Sequence, residues 1–216
     1  MFRTSAMLVA AALLLGACTT GDPTARLLAT GPNVRVDGAP AEHGTWVRQG
    51  ATISTGAGSS AIVRWSEGTT LQLDQNSDPL VVWEPPDVAI NVGVGWFLID
   101  TGEMSVRIRN ELAVVFVGST VAVNVVPGQS LTTYLLEGSA QPLEPAGRPL
   151  REGEKLIAYP GNRLVYLPIT PAERAMIEQR FERWDFPRSF QSHEDDDDYE
   201  NSSDDFDTDD DFDDSP

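Results

Sequence analysis

From residue 33 to residue 168 the chain reads almost without interruption as short strands separated by tight turns. Ala61-Ile62-Val63-Arg64-Trp65, Thr69-Thr70-Leu71-Gln72-Leu73 and Val121-Ala122-Val123-Asn124-Val125-Val126 are β-branched, aromatic or alternating runs. Between the strand runs fall Gly56-Ala57-Gly58, Glu67-Gly68, Glu84-Pro85-Pro86-Asp87, Pro127-Gly128-Gln129 and Glu137-Gly138, the residue types that turns demand. Strands of about five residues with a turn every ten or so predict an all-β fold: a sandwich, a roll or a β-solenoid-like body. No amphipathic stretch within this span has the length of a helical crossover, so parallel βαβ units are not expected.

One helix is expected after the β region, over 170–186. Thr170-Pro171-Ala172-Glu173 has the order of an N-cap, a first-turn proline and a capping-box glutamate. Ile177, Phe181 and Trp184 then recur at i, i+4 and i+7 as one apolar stripe, and Asp185-Phe186-Pro187 marks the stop. The stripe is expected to lie on the β body; a partner groove is the alternative. The net charge of −18 belongs mostly to the C-terminal segment, since residues 193–216 hold 14 acidic side chains and no lysine or arginine, leaving −4 for the rest. Such an Asp-rich tail (191–216) cannot bury enough apolar surface to offset chain entropy, and disorder is expected there. With no clustered basic patch in the sequence, nucleic acid is not an expected partner.

The only cysteine, Cys18, closes Leu13-Leu14-Leu15-Gly16-Ala17-Cys18 behind Arg3 and an uncharged apolar run. This is signal-peptide organisation, and it is too short to span a bilayer, which takes roughly 20 apolar residues. Leu15-Gly16-Ala17-Cys18 resembles the bacterial lipobox, in which cleavage before the cysteine follows its acylation. The reading is a lipoprotein signal peptide over 1–17, lipid attachment at Cys18 and a tether over 18–32. An ordinary secretory signal and an uncleaved anchor are the competing readings. Thr19, where an aspartate would resemble an inner-membrane retention signal, points to the outer membrane of a bacterial cell envelope, facing the periplasm or the exterior.

The strand region also echoes itself. Val36-Asp37-Gly38 precedes Val47-Arg48-Gln49-Gly50-Ala51-Thr52-Ile53, and Leu136-Glu137-Gly138 precedes Leu150-Arg151-Glu152-Gly153-Glu154-Lys155-Leu156. Acid-glycine pairs suit tight turns because glycine accepts positive φ, and the pattern predicts two related supersecondary units. These residues, with Gly50 to Ala61, Trp65-Ser66-Glu67-Gly68-Thr69, Val117-Gly118-Ser119-Thr120-Val121 and Glu152-Gly153-Glu154, resemble the FecR domain in order over 33–160. Two positions depart from that family's pattern: Ser119 splits Gly118 from Thr120, and Ala122 stands where an aromatic would be. The resemblance implies an extracytoplasmic, non-enzymatic β domain over 33–168. Well-known members join such a domain to a cytoplasmic part that holds a sigma factor, and this sequence shows no such part and no transmembrane helix.

Chemistry-bearing motifs are scarce. His43 sits in Ala41-Glu42-His43-Gly44 and His193 at the tail junction, and neither belongs to a metal or triad motif. Asp205-x-Asp207-x-Asp209 begins like a calcium loop, but Asp210 and Pro216 replace its glycine and its bidentate glutamate. No catalytic residue, metal site or cofactor is therefore expected. Among the five tryptophans, Trp65, Trp83 and Trp96 lie in apolar strand text and Trp46 opens a strand beside a turn, making it the candidate ligand-facing aromatic. The expected function is a non-enzymatic, lipid-anchored envelope interaction, sensor or scaffold protein with a protein partner. A glycan- or peptidoglycan-binding module is the alternative.

Overall fold

A computed structural model describes residues 25–48, 50–65, 68–84, 87–102 and 104–181. Its central element is β9 (Asp87–Asp100), a strand of 14 residues that belongs to two sheets. The first half of β9 pairs with β8 (Asp78–Glu84) and β10 (Val106–Asn110), and its second half pairs with β7 (Thr70–Leu73) and β12 (Thr120–Val126). The change occurs at Gly93-Val94-Gly95. Opposite this point the β8 register slips by one residue, and the inward-facing set passes from Val88, Ile90 and Val92 to Phe97 and Ile99. Strand side chains alternate with period two, so an inserted residue exchanges the faces and bends the strand.

Gly95 makes that corner possible. Its φ is +108°, and a Cβ there would stand 2.7 Å from Ser77 Cα. Ser77, which is buried, clips the bend: its hydroxyl donates to the Trp96 carbonyl (3.1 Å) and accepts from the Trp96 N–H (3.2 Å). Thr55 continues the network by accepting the Ser77 N–H at 3.0 Å and donating its hydroxyl to the Asp74 carbonyl at 2.5 Å. Because β9 folds over on itself, β10 lies parallel to its first half after only a short connection from Asp100. A parallel pair ordinarily needs a crossover of a dozen or more residues; here the bent strand supplies the return path.

The larger sheet runs in the order β16 (Arg163–Pro168), β15 (Glu154–Tyr159), β13 (Ser130–Leu135), β12, β9, β7, β6 (Ser60–Trp65), β1 (Ala25–Thr30) and β4 (Trp46–Val47). The second consists of β8, β9, β10, β11 (Ala113–Val117) and β14 (Ala140–Glu144). A small third sheet joins β2 (Val34–Val36), β3 (Ala39–Pro40) and β5 (Ile53–Thr55). Leu71, Phe97, Val121 and Leu131 from the larger sheet and Ile90, Ile108 and Val115 from the second enter one buried cluster, so the two inner faces form a sandwich core.

On the other face of the larger sheet lies α1 (Pro171–Phe181). Its capping box is formed as its sequence requires: the Glu173 N–H donates to Thr170 Oγ1 (3.2 Å), and the Thr170 N–H donates to Glu173 Oε2 (3.0 Å). Ile177 and Phe181 are buried against Ala122 and Tyr134, with Trp96, Leu98 and Met176 around them. Trp184, which the stripe also includes, lies outside the described residues, as do 182–216 with the whole acidic tail.

The structure differs from the sequence reading at the N-terminal boundary. Residues 25–30, expected within the tether, form β1 between β4 and β6, with Ala25 and Leu27 buried and Arg26 exposed. Period-two burial produces this strand, although only Thr30 among its residues is β-branched. The internal echo is partly topological. In both units the strand after the second glycine runs antiparallel to the strand before the acid-glycine turn, Val36 facing Ile53 and Tyr134 facing Lys155. Their registers differ by three residues, and β14 leaves for the second sheet whereas β3 folds straight back on β2.

Candidate interaction surface

Of the two side chains singled out for function, Cys18 lies outside the described residues. Trp46 is on β4 at the edge of the larger sheet and is 47% exposed. The Arg26 guanidinium lies 4.3 Å from the centre of its ring, a cation–π contact. Register explains the contact, because Trp46 faces Arg26 and Arg26 faces Arg64 across neighbouring strands. The same row continues through Thr70 to Asp100, whose carboxylate accepts the Gly102 N–H at 3.1 Å. Trp46, Arg26 and Arg64 are all exposed, and among the described residues neither arginine has a carboxylate partner.

Farther along the same face the sheet is occupied by the helix. Lys155 pairs with Glu173 and Arg180 with Asp74, one ion pair at each end of α1. Between them Arg180 lies 4.9 Å from the Trp96 ring centre, Trp96 stacks on Tyr134 at 5.7 Å, and Lys155 is 5.9 Å from the Tyr134 ring. Burial, with the Glu173 charge nearby, pushes the Tyr134 phenol up. Burial also pushes Glu173 upward, but hydrogen bonds from Lys155 and Thr170 outweigh it and leave the carboxyl below its ordinary value. These charged and aromatic groups are paired with one another, and their role is to dock the helix.

A carboxyl held below its unfolded value favours the folded state only while it is ionised. Its contribution is complete above the ordinary carboxylate range, about 4.3 for glutamate, and disappears as pH falls through the lowered folded value. Glu173→Gln is therefore expected to lower stability at neutral pH and to flatten part of its acid dependence. The residual dependence includes Glu154, held at about 2 by the Arg148 hydrogen bond and the Arg151 N–H. Urea unfolding of both proteins across the acid range checks this; parallel curves would remove Glu173 from the account.

His43 is exposed in the turn before β4. Among the described residues no three His, Cys, Asp or Glu side chains converge in a metal-binding group. A shallow cleft of about 340 Å³ is lined by residues that include Asn110, Glu111, Val114, Glu144 and Asn162. Two of its side chains are already engaged. Glu111 accepts the Gly128 N–H at 3.0 Å, and Asn110 donates to the Val92 carbonyl at 2.8 Å. Trp46 is not part of this cleft, so the candidate aromatic stands on an open sheet face. Sequence reasoning missed Arg26 and Arg64 because their adjacency depends on β1, whose signal was only the single charged residue between Ala25 and Leu27.

No protein-family model matches the chain, and no curated protein sequence does. Two crystal structures of a candidate anti-sigma factor from Parabacteroides distasonis are similar to it. The first has a TM-score of 0.50 at 16% identity, covering 59% of this chain and 64% of that one. The second has a TM-score of 0.49 at 16% identity, covering 59% and 63%. The chain thus matches less than two thirds of the length of either. At this identity the first likeness is one of fold: a mostly antiparallel β architecture shared with that protein.

Proposed function

We propose that this chain is a lipid-anchored, FecR-like interaction domain of the bacterial envelope, serving as a sensor or scaffold by binding another envelope protein without catalysing a reaction. The observation that supports it most is the β architecture, similar in fold to a candidate anti-sigma factor and built around the turns that resemble the FecR pattern. The anchor is Cys18, the mature chain begins there, and the outer membrane is its place.

The test is a cross-linking capture from membranes at physiological salt, with mass analysis of the peptide containing residue 18. A specific envelope protein and an acylated Cys18 are expected, and Cys18→Ser should move the folded chain to the soluble fraction. Recovery of no protein partner would overturn the interaction role. A Cys18→Ser chain that stays with the membrane would overturn the anchor.

A further inference from the structure

We infer that the exposed face made by Trp46, Arg26 and Arg64 seats the domain on an anionic bilayer surface next to its own anchor. The first argument is covalent reach. Only residues 19–24 separate Cys18 from Ala25, where β1 begins, and a chain extends at most about 3.6 Å per residue. Ala25 therefore lies within about 25 Å of Cys18 however those residues run. Ala25 and Arg26 pair with Val47 and Trp46, so the chain enters the fold beside this row. The bilayer as occupant rests on the lipid-anchor reading above.

The second argument is charge. Arg26 and Arg64 stand directly opposite each other on adjacent strands, an arrangement that costs stability when the charges are alike. Anionic headgroups above the sheet relieve that repulsion by lying across both guanidinium groups. The third argument is the ring. Tryptophan belongs at the headgroup boundary because its apolar body and its N–H suit different sides of that boundary. Trp46 is exposed at 47%, with Arg26 on its ring. Among the described residues the helix covers a different part of this sheet face, over Ala122 and Tyr134, and Trp46, Arg26 and Arg64 are each exposed. Two arginines hold a free protein weakly, but an anchored domain is confined next to the surface, and a weak contact then sets its orientation.

Cys18 is the only thiol in the chain, and this permits a test that does not require cells to acylate it. The mature chain, beginning at Cys18, is coupled through that thiol to maleimide-bearing vesicles of brominated phosphatidylcholine, with or without phosphatidylglycerol. Tryptophan emission is then recorded. Quenching is expected on the vesicles containing phosphatidylglycerol. It should be lost at high salt and in the R26Q/R64Q double variant, and Trp46→Phe should remove the quenched component while leaving the rest of the emission. Quenching that is absent in the coupled parent, or unchanged in R26Q/R64Q, would overturn the inference. Failure of the anchor reading is seen separately, as an unmodified Cys18 in chain isolated from cells.

Discussion

Gly95→Ala should be among the most damaging small substitutions in this domain. The left-handed backbone costs an L-residue roughly 1–2 kcal/mol, and forcing an extra methyl into a packed site costs roughly 1–3 kcal/mol. The methyl meets the Ser77 side chain and, 2.7 Å away, its Cα. Backbone cannot swing aside as a side chain can, and Ser77 is held by both polar groups of Trp96. A loss of roughly 2–5 kcal/mol is a large share of the 5–15 kcal/mol that keeps a domain folded. The melting temperature should fall by on the order of 10 °C. Gly38→Ala is the control, since its φ is also positive but nothing stands within 4 Å of an added Cβ. Equal effects at the two positions would show that the corner is not packed as described.

Phe97→Ala should cost about 3–5 kcal/mol, the usual range for emptying a fully buried aromatic site. Phe97 is 0% exposed and lies between Leu73 and Val123 in cross-strand register, with side chains of the second sheet in the same core. Strands hydrogen-bonded on both sides cannot collapse readily into the space, which places the expected value high in that range. Urea unfolding should show a lower midpoint with the slope unchanged. Trp46→Ala is the contrast, a half-exposed site whose ring and cation–π contact are expected to contribute roughly 1–2 kcal/mol. If Phe97→Ala costs less than Trp46→Ala, the two sheets do not share a core.

The parts of this architecture legible in the sequence are those fixed by neighbours in the chain. Asp37-Gly38 announces the turn between β2 and β3, where both residues have positive φ. Thr170 and Glu173 announce the helix start because the capping box closes over four residues. The β-branched runs of β6, β7 and β12 stand where their composition puts them. Pairing is another matter. Asp87 to Asp100 reads as one apolar run, and nothing local says that it serves two sheets; only the change of inward parity around Gly93 and Gly95 betrays the corner. The Arg26–Arg64 juxtaposition was equally hidden, since it joins residues 38 positions apart through β1. Trp46 could be picked out as an exposed aromatic, but its arginine neighbours required the register.

The position of β1 has a mechanical consequence. A strand at the rim of a sheet can be peeled away one hydrogen bond at a time. β1 instead is flanked by β4 and by six consecutive residues of β6. A pull along the strand axis, entering at Ala25, loads these ladders in shear, so their bonds share the force and must yield together. A domain tugged from its anchor would resist at its first residue.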